Sequence, residues 1–351
     1  MTGIERSYGS KRRVENVAAL VDGFGLVDGF GRVHTDLRVS LTDKCNLRCT
    51  YCMPPEGLDW LPPDSVLTDD EVVRVVGIAV TDLGITDVRL TGGEPLLRRG
   101  LVDIVRRLAE LEPRPRLALT TNGIGLARVV GDLAAAGLDR INVSLDTMHR
   151  ATFIALSRRD RLDEVLAGLD AARAAGISPV KVNTVLMRGI NDGEALDLLD
   201  YCVEHGLQLR FIEQMPLDPQ HGWDRDVMVT AEEIVAVLSE RHTLTPVGGR
   251  GSDPAELFRI DDGPEVVGVI ASVTKPFCAA CDRVRLTADG QVRNCLFATE
   301  ESDLRTALRA GADDAEIAAR IRAAIKRKRA GHGIDDPTFL QPARPMSAIG
   351  G

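Results

Sequence analysis

The sequence predicts an α/β fold: an incomplete barrel of six βα units, then a smaller C-terminal α+β region and an extended tail. Two observations carry this. Short β-type runs alternate with helical patterns from residue 37 to about residue 215, the pattern of βαβ units closing a parallel sheet. No dinucleotide-binding glycine fingerprint accompanies the runs, which favours a partial barrel over a doubly wound sheet.

The strands are expected at 37–41, 87–90, 116–121, 140–145, 179–186 and 208–212. A capping box, Thr68 with Glu71, opens a helix that runs to about residue 83. Further helical stretches cover 101–111, 126–136, 163–175 and 194–204, the last preceded by a cap candidate at Asn191. A second capping box, Thr230 with Glu233, opens a helix to about residue 240. A glycine-rich stretch at 248–251 follows, then short strand-like runs. The expected division is an N-terminal extension (1–27), a core barrel (28–240), a C-terminal region (241–334) and a tail (335–351).

The strands are unusual for a buried parallel sheet, which normally reads as continuous hydrophobic runs. Alternate positions are polar: Arg38 and Ser40; Arg89 and Thr91; Thr120 and Asn122; Asn142, Ser144 and Asp146; Lys181 and Asn183. Side chains two apart share a face, so helices are expected on the apolar face and a wet, partly cationic cavity on the other. Solvated strand ends are the bland alternative for any single one of these charges.

The 351 residues carry 43 Lys and Arg against 52 Asp and Glu, for a formal charge of −9. That balance, with aromatics at 4%, argues against nucleic-acid binding. Without a run of about eighteen apolar residues nothing spans a membrane, and the basic N-terminus lacks the apolar core of a signal peptide. The chain reads as cytoplasmic; a homodimer is compatible with it.

Seven cysteines in such a chain point to metal or catalysis rather than disulfides. Cys45, Cys49 and Cys52 sit on one loop just past the first strand, where a barrel builds its active site. Three thiolates there suit an iron–sulfur cubane with one iron left open; structural zinc and plain packing are the alternatives. Cys278, Cys281 and Cys295 fit a cluster or an incomplete zinc ribbon. Cys202 reads as a buried small hydrophobe. Residues 326–329 read as a helix end whose cations favour the dipole. The hexapeptide Leu-Val-Asp-Gly-Phe-Gly occurs twice, from Leu20 and from Leu26, too short for a repeat architecture and with no physical account of the first copy.

Cys45-Asn-Leu-Arg-Cys49-Thr-Tyr51-Cys52, followed by Thr91-Gly92-Gly93-Glu94-Pro95 at the end of the second strand, resembles the signature of the radical S-adenosylmethionine enzymes. The second trio, with Arg283 and Arg285 inside it, narrows the likeness to the GTP 3′,8-cyclase family of molybdenum-cofactor synthesis. That likeness runs from Asp28-Gly-Phe-Gly-Arg-Val-His-Thr-Asp-Leu-Arg38 to Arg344-Pro-Met-Ser-Ala-Ile-Gly350-Gly351. The resemblance implies two [4Fe–4S] clusters, S-adenosylmethionine as cosubstrate and GTP as substrate. It implies cosubstrate contacts at Tyr51, Gly93, Glu94, Ser144 and Met215, and GTP contacts at Arg38, Arg89, Thr120, Lys181, Arg283 and Arg285. The Gly350-Gly351 end is expected to thread into the active site. An electron donor and a downstream cyclic pyranopterin monophosphate synthase are the implied partners. Two rivals remain at this point: a radical enzyme on another substrate with an electron-relaying second cluster, and a non-catalytic zinc scaffold.

Overall fold

The structure is a computed structural model that describes residues 25–350. The first copy of the hexapeptide, apart from Gly25, and Gly351 lie outside the described residues. The core strands are β1 (Asp36–Ser40), β2 (Asp87–Thr91), β3 (Arg116–Thr121), β4 (Arg140–Ser144), β5 (Val180–Val185) and β6 (Gln208–Ile212). They pair in sequence order, every pair parallel. The C-terminal strands β7 (Leu244–Val247), β8 (Glu256–Ile260), β9 (Val266–Ile270), β10 (Arg283–Leu286), β11 (Gln291–Arg293) and β12 (Ser302–Asp303) join this same sheet at both flanks. β10 lies parallel to β1, and β9 parallel to β6; antiparallel β11–β12 and β8–β7 finish the two edges. The barrel is therefore open, and the C-terminal residues widen it.

Alternation along the strands sorts the two faces as expected. Val39, Val88, Leu90, Leu117, Leu119, Ile141, Val143, Val182 and Phe211 are buried in the main core. The helices that cover this face are α1 (Asp69–Thr81), α2 (Leu101–Ala109), α3 (Val130–Ala135), α4 (Arg150–Ser157), α5 (Leu162–Ala174), α6 (Ala195–Glu204) and α7 (Ala231–Ser239). α8 (Arg305–Arg309) and α9 (Asp314–Lys326) pack near α1, and α10 (Met346–Ile349) ends the described chain. Cys202 sits on α6, fully buried in the apolar core. Both capping boxes form, at Thr68–Glu71 and at Thr230–Glu233.

Asn191 does not cap α6. Its amide donates to the carbonyls of Asp146 and Val185 and its oxygen accepts from Met187 N–H, so it ties the loops after β4 and β5 together. Among the described residues no helix is long and apolar enough to cross a membrane.

Candidate active site

The loop after β1 is locked to the loop after β2. Gly93 N–H donates to the Thr42 carbonyl and Glu94 N–H to the Lys44 carbonyl, both at 2.7 Å. A Cβ on Gly93 would overlap the carbonyl oxygens of Asp43 and Lys44, and Gly92 adopts φ +148. The glycines are thus required for the two loops to touch.

Between these loops and the ends of β3 and β4 lies a cavity of about 170 Å³, lined by Cys45, Cys49, Cys52, Tyr51, Gly93 and Ser144 among others. Thr120 lines it as well, so one expected GTP contact opens onto the same space as the cysteines. Burial pushes the Cys45 and Cys49 thiols up and brings Cys52 to about 12. Thiolates here need a positive partner. Hydrogen-bond donors already face the sulfurs: the Asn122 amide 3.8 Å from Cys45 Sγ, and the Ser347 backbone N–H at Cys52. Among the described residues no three His, Cys, Asp or Glu side chains converge as a single ion would require. A cubane asks for no such convergence, because each sulfur meets a different iron. The trio fits that group.

Glu94 is fully buried and braces rather than lines the cavity. Its carboxylate accepts from Thr121 Oγ1 and Asn122 N–H at 2.7 Å and from Leu96 N–H at 2.9 Å; burial still lifts it to about 7. Met215 stands off the cavity, packed between two small clusters around Phe297 and Met228. Tyr51 donates to Asp146 Oδ2 at 2.7 Å. Asp146, missed as a functional residue in the sequence, lines the cavity too. Its place two residues past Ser144, continuing the alternation of Asn142 and Ser144 beyond the end of β4, was the available signal.

Further along the inner face, sheet register sets Arg38 beside Arg89 on one side and Arg285 on the other. All three have a buried Nε without a hydrogen-bond partner among the described residues, as does Arg283. Arg283 stacks on Phe277, its Cζ 4.4 Å from the ring centroid. Arg210, half a barrel away on β6, is buried with the same unpaired Nε. It was overlooked although it shares the inward alternation. Burial depresses the Arg89 and Arg285 guanidinium groups to about 10, which leaves them charged near neutrality. Against the cost of its own burial, Arg38, Arg89, Arg283 and Arg285 hold Asp36 below the ordinary carboxylate range. Asp36, Asp253 at 3.8 Å from Arg210 and Asp282 near Arg283 are outnumbered by these cations, a costly arrangement without an anion to fill the chamber.

At the second trio, Cys281 and Cys295 lie within electrostatic reach of Cys278. Burial works against a Cys281 thiolate, yet Lys328, Arg283 and Arg285 outweigh it and lower its pKa. Lys328 is not a solvated helix-end cation, as its neighbours suggested; it is buried against this sulfur.

The C-terminal segment enters the same region. Arg344 donates twice to Asp289, at 3.0 and 2.7 Å, and once to Glu301 at 2.8 Å. Met346 and Ser347 line the cysteine cavity, and Gly350, at φ +86, has no room for a Cβ beside Ser40 Oγ.

Comparison with known proteins matches residues 39–202 to the Radical SAM superfamily and residues 207–334 to Molybdenum Cofactor Synthesis C. A GTP 3′,8-cyclase of Streptomyces coelicolor is 66% identical over 339 residues, 96% of this chain and 98% of the relative. The chain belongs to the GTP 3′,8-cyclase family. A GTP 3′,8-cyclase of Mycolicibacterium smegmatis is 60% identical over 95% of this chain and 92% of its own. Among solved structures, SuiB of Streptococcus suis bound to S-adenosylmethionine superposes with a TM-score of 0.57 at 13% identity, covering 99% of this chain and 83% of that one. Native anSMEcpe with bound AdoMet gives 0.56 at 15% identity, covering 83% of each chain. These two show the radical SAM fold of this GTP 3′,8-cyclase family member and nothing finer.

Proposed function

We infer that the protein is the lyase that converts GTP to (8S)-3′,8-cyclo-7,8-dihydroguanosine 5′-triphosphate, the first step of molybdenum-cofactor synthesis. The observation that carries the reading is the register row Arg285–Arg38–Arg89, in which each buried Nε lacks a hydrogen-bond partner among the described residues, in a chain of net charge −9. Guanidinium forks match phosphate oxygens, and a triphosphate neutralises such a row.

In this reading Cys45, Cys49 and Cys52 hold one [4Fe–4S] cluster, and Cys278, Cys281 and Cys295 hold another. Bound there, the first cluster would supply the electron for reductive cleavage of S-adenosylmethionine and the second would supply Lewis-acidic iron toward the substrate. Gly93 backbone, Ser144 and Tyr51 orient the cosubstrate from the cavity wall, with Glu94 and Met215 supporting that wall from behind. Arg38, Arg89, Thr120, Lys181, Arg283 and Arg285 bind GTP, with Arg210 added from the inner face. The protein's work is to align the ribose 3′ carbon and exclude water from a reactive species. Gly350 closes the chamber beside Ser40. An external reductant provides the electron, and the product passes to a separate cyclic pyranopterin monophosphate synthase.

The test separates the two trios. Cys49→Ser abolishes cleavage of S-adenosylmethionine, while Cys281→Ser keeps the first cluster and loses cyclisation. Arg285→Ala loses GTP binding with all iron in place. Normal turnover in either cysteine variant overturns the assignment.

A further inference from the structure

Two features remain unused by this chemistry: the second copy of the duplicated hexapeptide and the cations after α9. The fold brings them together beside Cys281. Lys328 is 5% exposed, and its ammonium meets three acceptors: the Arg283 carbonyl at 2.8 Å, Cys281 Sγ at 3.4 Å and His34 Nδ1 at 3.4 Å. An ammonium has three protons to give, so the set is complete. His34 is wholly buried, and its Nε2 lies 3.1 Å from Asp28 Oδ2. A carboxylate only accepts, so the imidazole proton sits on Nε2 and Nδ1 turns its lone pair to Lys328.

Asp28, the third residue of the hexapeptide, is fixed in turn. Its Oδ1 accepts from Phe30 N–H at 2.8 Å and from Arg32 N–H at 3.0 Å, and its Oδ2 from Arg32 Nε. The other end of Arg32 donates to the carbonyls of Cys278, Arg329 and Ala330. Each side chain in this series is held by the next one out. A strut between these segments would be cheaper in apolar side chains, since buried charges cost several kcal/mol before pairing. What the charged version delivers is one fixed positive charge at a sulfur. Such a charge stabilises the thiolate and the more reduced state of iron bound to it.

We propose that Lys328, oriented by the Asp28–His34 pair, is a positioning residue of the second cluster, holding the Cys281 thiolate and raising the cluster's reduction potential. This rests on the reading that the C-terminal trio binds an iron–sulfur cluster.

The experiment is a potentiometric titration of anaerobically reconstituted full-length protein, followed by electron paramagnetic resonance, with iron and sulfide measured on each sample. The signal that disappears in Cys281→Ser is the second cluster. Lys328→Met is expected to lower its midpoint by 59 mV or more, a tenfold change in a one-electron equilibrium, with the first cluster unmoved. Lys328→Arg keeps the midpoint near the unmodified value, and His34→Phe moves it in the same direction as Lys328→Met. Loss of second-cluster iron from Lys328→Met with retention in Lys328→Arg also supports the proposal, because only the charge differs in kind. An unchanged midpoint in Lys328→Met, or iron lost from both lysine variants, overturns it. If Cys281→Ser keeps all the iron and the full spectrum, the two-cluster reading falls and takes this inference with it.

Discussion

A half-buried lysine among arginines holds its proton at a cost. Burial, then Arg210, bring Lys181 down to about 7, with Arg140 and Arg89 adding to the effect and Asp253 opposing it. In the proposed site, a triphosphate bound against Lys181 would reverse that balance and raise the lysine again. The free protein therefore binds a proton along with GTP once the pH exceeds about 7, and affinity falls as pH rises. GTP dissociation constants are expected to increase several-fold between pH 7 and pH 8.5, approaching tenfold per unit at the steepest. Calorimetry in buffers of different ionisation enthalpy reads the proton uptake directly. Lys181→Met should bind weakly with no such slope; a slope that survives the substitution assigns the proton elsewhere. The Glu94 oxygens accept from Thr121, Asn122 and Leu96 behind the glycines, which fixes where that carboxylate stands.

Among the elements, α1 illustrates how cleanly stability separates from chemistry. Glu71 N–H donates to Thr68 Oγ1 at 3.1 Å and Thr68 N–H donates back to the Glu71 carboxylate at 2.8 Å. The helix buries Val72, Val75, Val76 and Ala79 in the main core, on the face opposite the arginines. Thr68→Ala should lower unfolding free energy by about 1 kcal/mol in chemical denaturation and leave S-adenosylmethionine cleavage unchanged. A loss of cleavage without a loss of stability would show that α1 acts on the loops directly. Capping boxes, strand alternation and the glycine pair were all legible, because each is a property of residues within a few positions of one another. The loop contact they serve was not: Gly93 meets Thr42 across 51 positions, and spacing says nothing about such a meeting.

Across the whole molecule, the C-terminal segment completes the chamber from outside. Arg344 is its anchor at Asp289 and Glu301, and Ile349, 1% exposed, packs with Leu217 and Phe297. Arg344→Ala should free this segment while leaving the iron content of the protein unchanged. Hydrogen exchange at residues 345–350 is expected to quicken on the order of tenfold, and cyclisation to fall with it. Unaltered exchange would mean the apolar contacts hold the segment without the arginine.

By itself the sequence determined the inventory: two cysteine trios, a polar face on five of the six core strands, helices for the other face, and a terminal run of small residues. Those follow from covalent order and side-chain period. Only tertiary structure decided that β10 flanks β1, so that Arg285 stands in register with Arg38 across 247 positions. It also decided that Lys328 leaves the solvent to meet Cys281 and His34. The reason is that a charge looks the same in a sequence whether water or another side chain surrounds it. Its surroundings are set by sheet pairing between segments that share no local pattern.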